Sequence, residues 1–222
     1  VQIQDGMPRY DGSAQIDGVP GSAAPVELNF MNVAGSSTGA FLPSGNLIDS
    51  FEGVEVTCMD VAMPMVIARA ADFGLTGAET REELDANRDF FAKMETVRLA
   101  AGAAMGMGDC SRSVTPKFGL LYPVEGAGHI GARYFMPWET HPTMAVTGSQ
   151  ALASCALTPG TIADKMMTIP KERPAKITLH HLMGEMDVLV DYVMADGQFV
   201  HKSAGLVRTA RKLAQGDLFV PA

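Results

Sequence analysis

The chain has 222 residues, of which 47% are hydrophobic and 19% charged, enough for one large folded domain or one domain with part of another. Its net charge of −8 argues against a nucleic-acid partner, because phosphate backbones select basic surfaces. No apolar run approaches the roughly 20 residues that cross a bilayer, so no membrane partner is expected, and the first residues lack the basic-then-apolar pattern of a secretory signal. The three cysteines, Cys58, Cys110 and Cys155, are odd in number and widely spaced. They provide neither a disulfide framework nor a C-x-x-C metal site, and a reducing, cytoplasmic setting is the expectation.

Residues 1–33 alternate strand-like runs with Gly and Pro turns and end in "PVELNFMNV". "GSSTGAFLPSGN" (35–46) is a loop by composition, and two strands are predicted in "GVEVTCMDVAMPMVIARAADF". Thr80 and Glu83 have capping-box spacing. They open an amphipathic helix with Leu84, Phe91, Met94, Val97 and Ala101 on its apolar stripe. "KFGLLYPV" and "HIGARYFMPW" are predicted strands, followed by an apolar helix over about 142–157. "AKITLHHL", "EMDVLVDYVMADGQFVHKSAGLV" and "GDLFVP" read as further strands, with Asp196-Gly197 as a hairpin turn. "VRTARKLA" reads as a short basic helix or turn. Many strands with one amphipathic and one wholly apolar helix imply an α+β fold. A helix apolar on every side must be surrounded by protein, most economically by a curled sheet with the helix N-terminus at its mouth.

That helix opens with His141-Pro142-Thr143. Proline suits the first helical position, Thr140 or His141 can cap, and the free N–H groups with the positive end of the dipole suit a carboxylate or phosphate. The plain alternative is good capping and no more. His141 has an ordinary pKa near working pH and is the acid–base candidate. Ser36, Ser37 and Thr38 in "GSSTG" offer hydroxyls and backbone donors to an anion, although the Lys of a nucleotide P-loop is absent. Arg133, on a strand leading to the helix entrance, suits a bidentate carboxylate contact or an exposed barrel position. His180 and His181 point to opposite faces of one strand, and His129 and His201 are scattered, so no metal site is expected. Cys155 and Cys58 read as core thiols, and the 15 dispersed methionines as core filling.

In order along the chain, "YDGSAQIDGVPGSAAPVELNF", "GSSTGAFLPSGN", "DVAMPMVIARAADFGLTG", "ELDANRDFFAKMETVRLAAG", "SVTPKFGLL", "HPTMAVTG" and "GLVRTARKLAQGDLFVP" resemble the PrpF-type isomerases, that is, 2-methylaconitate cis–trans isomerase and 4-oxalomesaconate tautomerase. "SSTGAFLPSGN" and "FGLTG" look closer to the tautomerase branch. The resemblance implies a diaminopimelate-epimerase-like fold of two similar domains, each a barrel-like sheet around a central helix, with the active site in the cleft between them. It also implies cofactor-free proton transfer on a small unsaturated polycarboxylate. The family's first domain carries a Cys-Gly motif at its helix entrance, and no match to it occurs here. Together with the abrupt start at Val1, this predicts that residues 1–33 return from a missing N-terminal domain and 34–222 form the C-terminal domain. The cleft face would then meet that domain or self-associate. On this basis His141 is the catalytic candidate, and Ser36, Ser37, Thr38, Met63, Arg133 and Thr143 are the substrate-binding candidates. Lys117 resembles the internal counterpart of a first-domain Lys, with no catalytic role assigned to it. The rival readings are a non-catalytic scaffold of the same fold and an amino-acid or proline epimerase. The epimerases carry a Cys where His-Pro-Thr stands here.

Overall fold

The computed structural model of the chain describes residues 1–217, 219 and 220. A small hairpin, β1 (Ile3–Gln4) and β2 (Met7–Pro8), precedes β3 (Pro25–Met31). The chain continues through β4 (Asp49–Phe51), β5 (Val54–Asp60), β6 (Pro64–Arg69), α1 (Arg81–Ala86), α2 (Arg88–Ala104), β7 (Lys117–Pro123) and β8 (His129–Phe135). It ends with α3 (Val146–Leu157), β9 (Ala175–His181), β10 (Gly184–Ala195) and β11 (Gln198–Thr209). Nine strands make one mixed sheet in the order β3-β11-β10-β9-β8-β7-β6-β5-β4. The β6–β7 and β8–β9 pairs are parallel and the others antiparallel.

The sheet curls around α3, which packs against every strand from β5 to β11. All residues of α3 from Gly148 to Leu157 are buried. A helix of this length is marginal alone in water, so the surrounding sheet holds it. The inner core joins Ala151, Leu152 and Cys155 of α3 to Ile67, Leu121, Ala132, Ile177, Val188 and Leu206 of six strands. Gly119 lies under α3, where a Cβ would stand 2.7 Å from Leu152 Cδ2. The segment after β3 closes the curl: Ala34 bridges to Val61, and the Ala62 N–H donates to the Val33 carbonyl at 2.8 Å. The sheet-wrapped apolar helix expected from the sequence is thus the observed architecture.

A second core lies on the outside of the sheet, where Phe90, Met94, Val97 and Ala101 of α2 cover Val56, Val66, Phe118 and Phe135. The capping box forms as expected, with the Glu83 N–H donating to Thr80 Oγ1 and the Thr80 N–H to Glu83 Oε2. The single amphipathic helix expected there is two helices. Asn87 leaves helical geometry and caps again, its side chain accepting from the Phe90 N–H at 3.0 Å. An Asn side chain competes with the helical backbone for hydrogen bonds, which favours a cap over an interior position.

The Asp196-Gly197 hairpin is present, both residues having positive φ, as a type I′ turn requires. "VRTARKLA" is no helix: Val207–Thr209 continue β11, held by pairing with Val26 and Glu27 on β3, and the rest is irregular. The expected strand in "GDLFVP" includes Leu218 and Pro221, which lie outside the described residues, and its described residues carry no strand. The proposed division at residue 33 falls just beyond β3, which is hydrogen-bonded to β11 and so adds an edge strand to the main sheet.

Candidate active site

Strand alternation decides which side chains reach the mouth around the N-terminus of α3. On β8, Ile130, Ala132 and Tyr134 face inward, and Tyr134 stands at the end nearest the start of α3. Gly148, in the first turn of α3, lies against that ring: a Cβ there would stand 2.1 Å from Tyr134 Cε2. The Tyr134 hydroxyl donates to Met63 Sδ at 3.2 Å, and the Thr147 hydroxyl approaches the same sulfur at 3.4 Å. Met63, on the β5–β6 turn, therefore sits at the mouth, as do Thr147 and Tyr134.

The helix itself begins later than expected. Its N-cap is Ala145, and no side chain caps it. His141, Pro142 and Thr143 precede the helix because the chain first completes an extended turn beyond β8. The His141 N–H donates to the Tyr134 carbonyl at 2.8 Å, and Thr140 bridges to Phe135. Neither Thr140 nor His141 is the cap, and Pro142 is not the first helical residue. The uncapped N–H groups of the first turn consequently remain directed at the mouth, with the positive end of the dipole.

His141 is held edge-on to Tyr134, with ring centroids 5.5 Å apart and an interplanar angle of 83°. Its Nδ1 accepts the Thr143 N–H at 3.0 Å. A backbone N–H can only donate, so Nδ1 is unprotonated and the neutral ring carries its proton on Nε2. Burial holds the imidazole below its ordinary pKa, and the neighbouring Arg81 and Lys117 charges act in the same direction. At neutral pH His141 is thus a neutral Nε2–H donor.

The other expected contacts divide. Ser37 and Thr38 give their backbone N–H groups to Asp60 Oδ2 at 2.8 and 2.7 Å, and Thr38 Oγ1 joins them at 2.9 Å. The anion cradled by "GSSTG" is therefore a carboxylate of the chain itself, fully buried at the end of β5, and Ser36 lies on the loop this contact folds. Arg133 points to the outer face of β8. Its guanidinium stacks 5.1 Å over Tyr122 and donates to the carbonyls of Gly77 and Ala132. Adjacent strand residues face opposite ways, so Tyr134 in the mouth puts Arg133 outside it.

Three further residues at the mouth were not singled out as contacts from the sequence. Alternation from Leu121 and Gly119 places Lys117 on the inner face at the start of β7. Burial lowers its pKa, Arg98 contributes in the same direction and Glu139 opposes. Alternation likewise brings His181 of β9 and Arg208 of β11 to the inner face at the same end as Tyr134. They line a cleft of about 560 Å³ with Thr143, Met144, Met186, the segment from Ala14 to Asp17, and the acidic Glu185 and Asp187 at its border. Arg208 contacts the Val207 carbonyl and Met186 Sδ. Among the described residues neither Lys117 nor Arg208 has a carboxylate within salt-bridge distance. The signal for Lys117 was its even spacing from Leu121; Arg208 was hidden in a segment read as a helix or turn.

Three histidines, His141, His181 and His201, have pKa values lowered first by burial from the ordinary 6.5. Each binds a proton less readily in the folded than in the unfolded chain. Their contribution is complete above the unfolded value and is lost as pH falls below it, because the unfolded state then takes up more protons. Thermal melts should show a midpoint that declines between about pH 7 and pH 5.5, before most carboxylates titrate. His201→Phe, which preserves the ring contacts with Phe41 and Phe199, should flatten part of that slope. A midpoint that stays level or rises on acidification would contradict this account.

A curled mixed sheet around one apolar helix, with cations and an uncapped helix start at its mouth, defines a diaminopimelate-epimerase-like barrel domain. The family model described as PrpF protein matches residues 1–221, and the chain belongs to the PrpF family. It is 42% identical over 220 residues to a (4E)-oxalomesaconate Delta-isomerase of Novosphingobium sp. strain KA1, covering 99% of this chain and 61% of that protein. It is 39% identical over 216 residues to a 4-oxalomesaconate tautomerase of Pseudomonas putida strain KT2440, covering 97% of this chain and 59% of that protein. The crystal structure of a methylitaconate-delta-isomerase superposes with a TM-score of 0.85 at 27% identity, covering 97% of this chain and 60% of the other. The chain thus spans about three fifths of the length of these relatives.

Proposed function

We propose that the chain forms one wall of the active site of an isomerase that moves a proton on a small unsaturated polycarboxylic acid. The substrate is 4-oxalomesaconate-like in first place and 2-methylaconitate-like in second. The observation that carries the reading is the mouth itself: Lys117 and Arg208 face it without a carboxylate partner among the described residues, beside the uncapped start of α3. Such a surface suits several carboxylates held together, and two relatives are named for oxalomesaconate, an acid of that kind.

In this reading a proton leaves the carbon next to an activating carboxyl or keto group, the electrons spread into an extended enolate, and a proton returns at another carbon. Atoms and electrons balance with no redox change, so no electron-transfer cofactor takes part. Lys117, Arg208 and the α3 N–H groups bind and orient carboxylates. His141 Nε2–H donates to the oxygen on which enolate charge develops, which favours the transition state over bound substrate. Met63, Tyr134, Thr143 and Thr147 shape the pocket and hold His141 in place. The opposite wall, including the remaining acid–base group, comes from a preceding domain in the same reading. A cytoplasmic setting accords with three buried, free cysteines.

The test is to express the full reading frame containing this chain and follow 4-oxalomesaconate and 2-methylaconitate by proton NMR in D2O. The expected result is isomerisation with deuterium incorporated at the carbon that gains hydrogen. No turnover of either acid would overturn the substrate assignment.

A further inference from the structure

The outer face of β8, β9 and β10 carries a second group of ionisable side chains, which reaches the border of the cleft at Glu185. The sequence set His180 and His181 on opposite faces of one strand and left His129 and His201 scattered, so no metal site was expected. Parallel pairing of β8 with β9 sets His129 beside Thr178 and Gly131 beside His180, which brings both imidazoles onto the outer face. His129 Nδ1 lies 2.8 Å from His180 Nε2. The other nitrogen of His180, Nδ1, lies 3.4 Å from Glu185 Oε1, and Glu185 is opposite His180 in the antiparallel register of β10. One donor atom from each of the three residues falls within 4.8 Å of the other two. His181 faces the mouth and takes no part, as the alternation requires.

The group is held in place rather than merely gathered. Gly126 folds against the His129 ring, where a Cβ would stand 3.0 Å from Cδ2. The Glu185 N–H is anchored by Asp17 Oδ2 at 2.8 Å. Two converging imidazole nitrogens, one ring backed by a carboxylate, suit a first-row transition ion of the Zn2+ type, whereas Mg2+ and Ca2+ require oxygen ligands. Zn–N bonds of about 2.0–2.1 Å in a tetrahedral site separate two nitrogens by about 3.3 Å. The rings therefore need to open by only about half an ångström, which two partly exposed side chains on a surface allow.

We propose that His129 Nδ1 and His180 Nε2 bind a divalent transition-metal ion, with the Glu185 carboxylate against His180 Nδ1 as the outer partner and water completing the coordination. The ion replaces the proton shared between the two imidazoles and clips β8 to β9. Arg133 Nη1 touches the His180 carbonyl at 3.4 Å. A cation beside the site makes imidazole donation, rather than accumulated negative charge, the source of affinity. Glu185 also borders the cleft, but none of the three residues has a role in the isomerase reading, so the two proposals stand or fall independently.

The experiment titrates the chain with ZnCl2 alone in a non-chelating buffer, by calorimetry and by thermal melting. One ion per chain and a rise in the melting midpoint are expected, since a ligand of the folded state stabilises it. His129→Ala and His180→Ala should each abolish the midpoint shift, Glu185→Gln should weaken binding by about 10- to 100-fold, and His181→Ala should leave it intact. Imidazole 15N spectra of the unsubstituted chain provide a readout that no folding defect can confuse. Of its five histidines, only His129 and His180 should shift with Zn2+. Absence of saturable binding, binding that survives both His→Ala changes, or shifts centred on His141, His181 or His201 would overturn the site.

Discussion

His141→Ala is expected to lower turnover of the full-length protein on its acid substrate by about 10²- to 10³-fold, the range for loss of one positioned donor to developing charge. The reason is geometric. Thr143 fixes Nδ1 as an acceptor, Tyr134 fixes the ring edge-on, and the proton is left on Nε2, which has no protein partner among the described residues. A donor aimed at charge that develops during reaction affects kcat, whereas a plain contact to substrate carboxylate would affect KM and leave kcat unchanged. His141→Gln, whose amide can still donate, should recover part of the loss. The lowered pKa adds a sign: the ring remains neutral at neutral pH, so any acid limb that depends on its protonation lies below the ordinary 6.5. Unchanged kcat/KM in His141→Ala would remove the residue from the mechanism.

The largest effect on stability is expected at a residue with no role in the chemistry. Arg98 of α2 is fully buried. Its Nε and Nη2 grip the Glu95 carboxylate at 2.7 and 2.8 Å, and its remaining donors reach the carbonyls of Cys110, Ser113 and Pro116 at 3.0 to 3.3 Å. All five guanidinium hydrogens are engaged. Arg98→Ala strands three carbonyls and the partly exposed Glu95 carboxylate, and losing the buried member of such a network costs about 3 kcal/mol. For a chain of this size that is a fall in melting midpoint on the order of 10 °C. Arg98→Lys, with three donors and no planar fork, should fall between the two. Pro116 directly precedes Lys117, so the damage should also appear as weaker carboxylate binding at the mouth. A loss below about 1 kcal/mol in chemical denaturation would show that the loop has other support.

Both residues show what local sequence reading can and cannot reach. The capping box at Thr80, the Asp196-Gly197 turn and the need to surround the apolar helix were legible because each depends on a few neighbouring residues. The break at Asn87 was less legible, since Asn is tolerated in helices and the apolar stripe continues across it. The start of α3 was misplaced because Pro142 suits a first helical position, whereas pairing of the preceding turn with β8 keeps residues 140–141 extended. No local signal distinguishes those outcomes, which differ by a contact with another part of the chain.

The same holds at the site. Spacing alone marks Ser37 and Thr38 as anion donors, and they are, but the anion is Asp60, more than 20 residues away in sequence. Spacing also separates His129 from His180 by 51 residues, yet their nitrogens meet because two parallel strands are neighbours. The sequence by itself determined the family, the α+β class, the helix that must be enclosed, and the face each strand residue takes once its strand is known. The family rests on seven segments matched in order along the chain; the other properties follow from periodicity and composition, which act over a few residues. Tertiary structure alone decided that Arg133 is spent on the outer face while Lys117 and Arg208 reach the mouth, because burial and partners are set by which strands lie side by side.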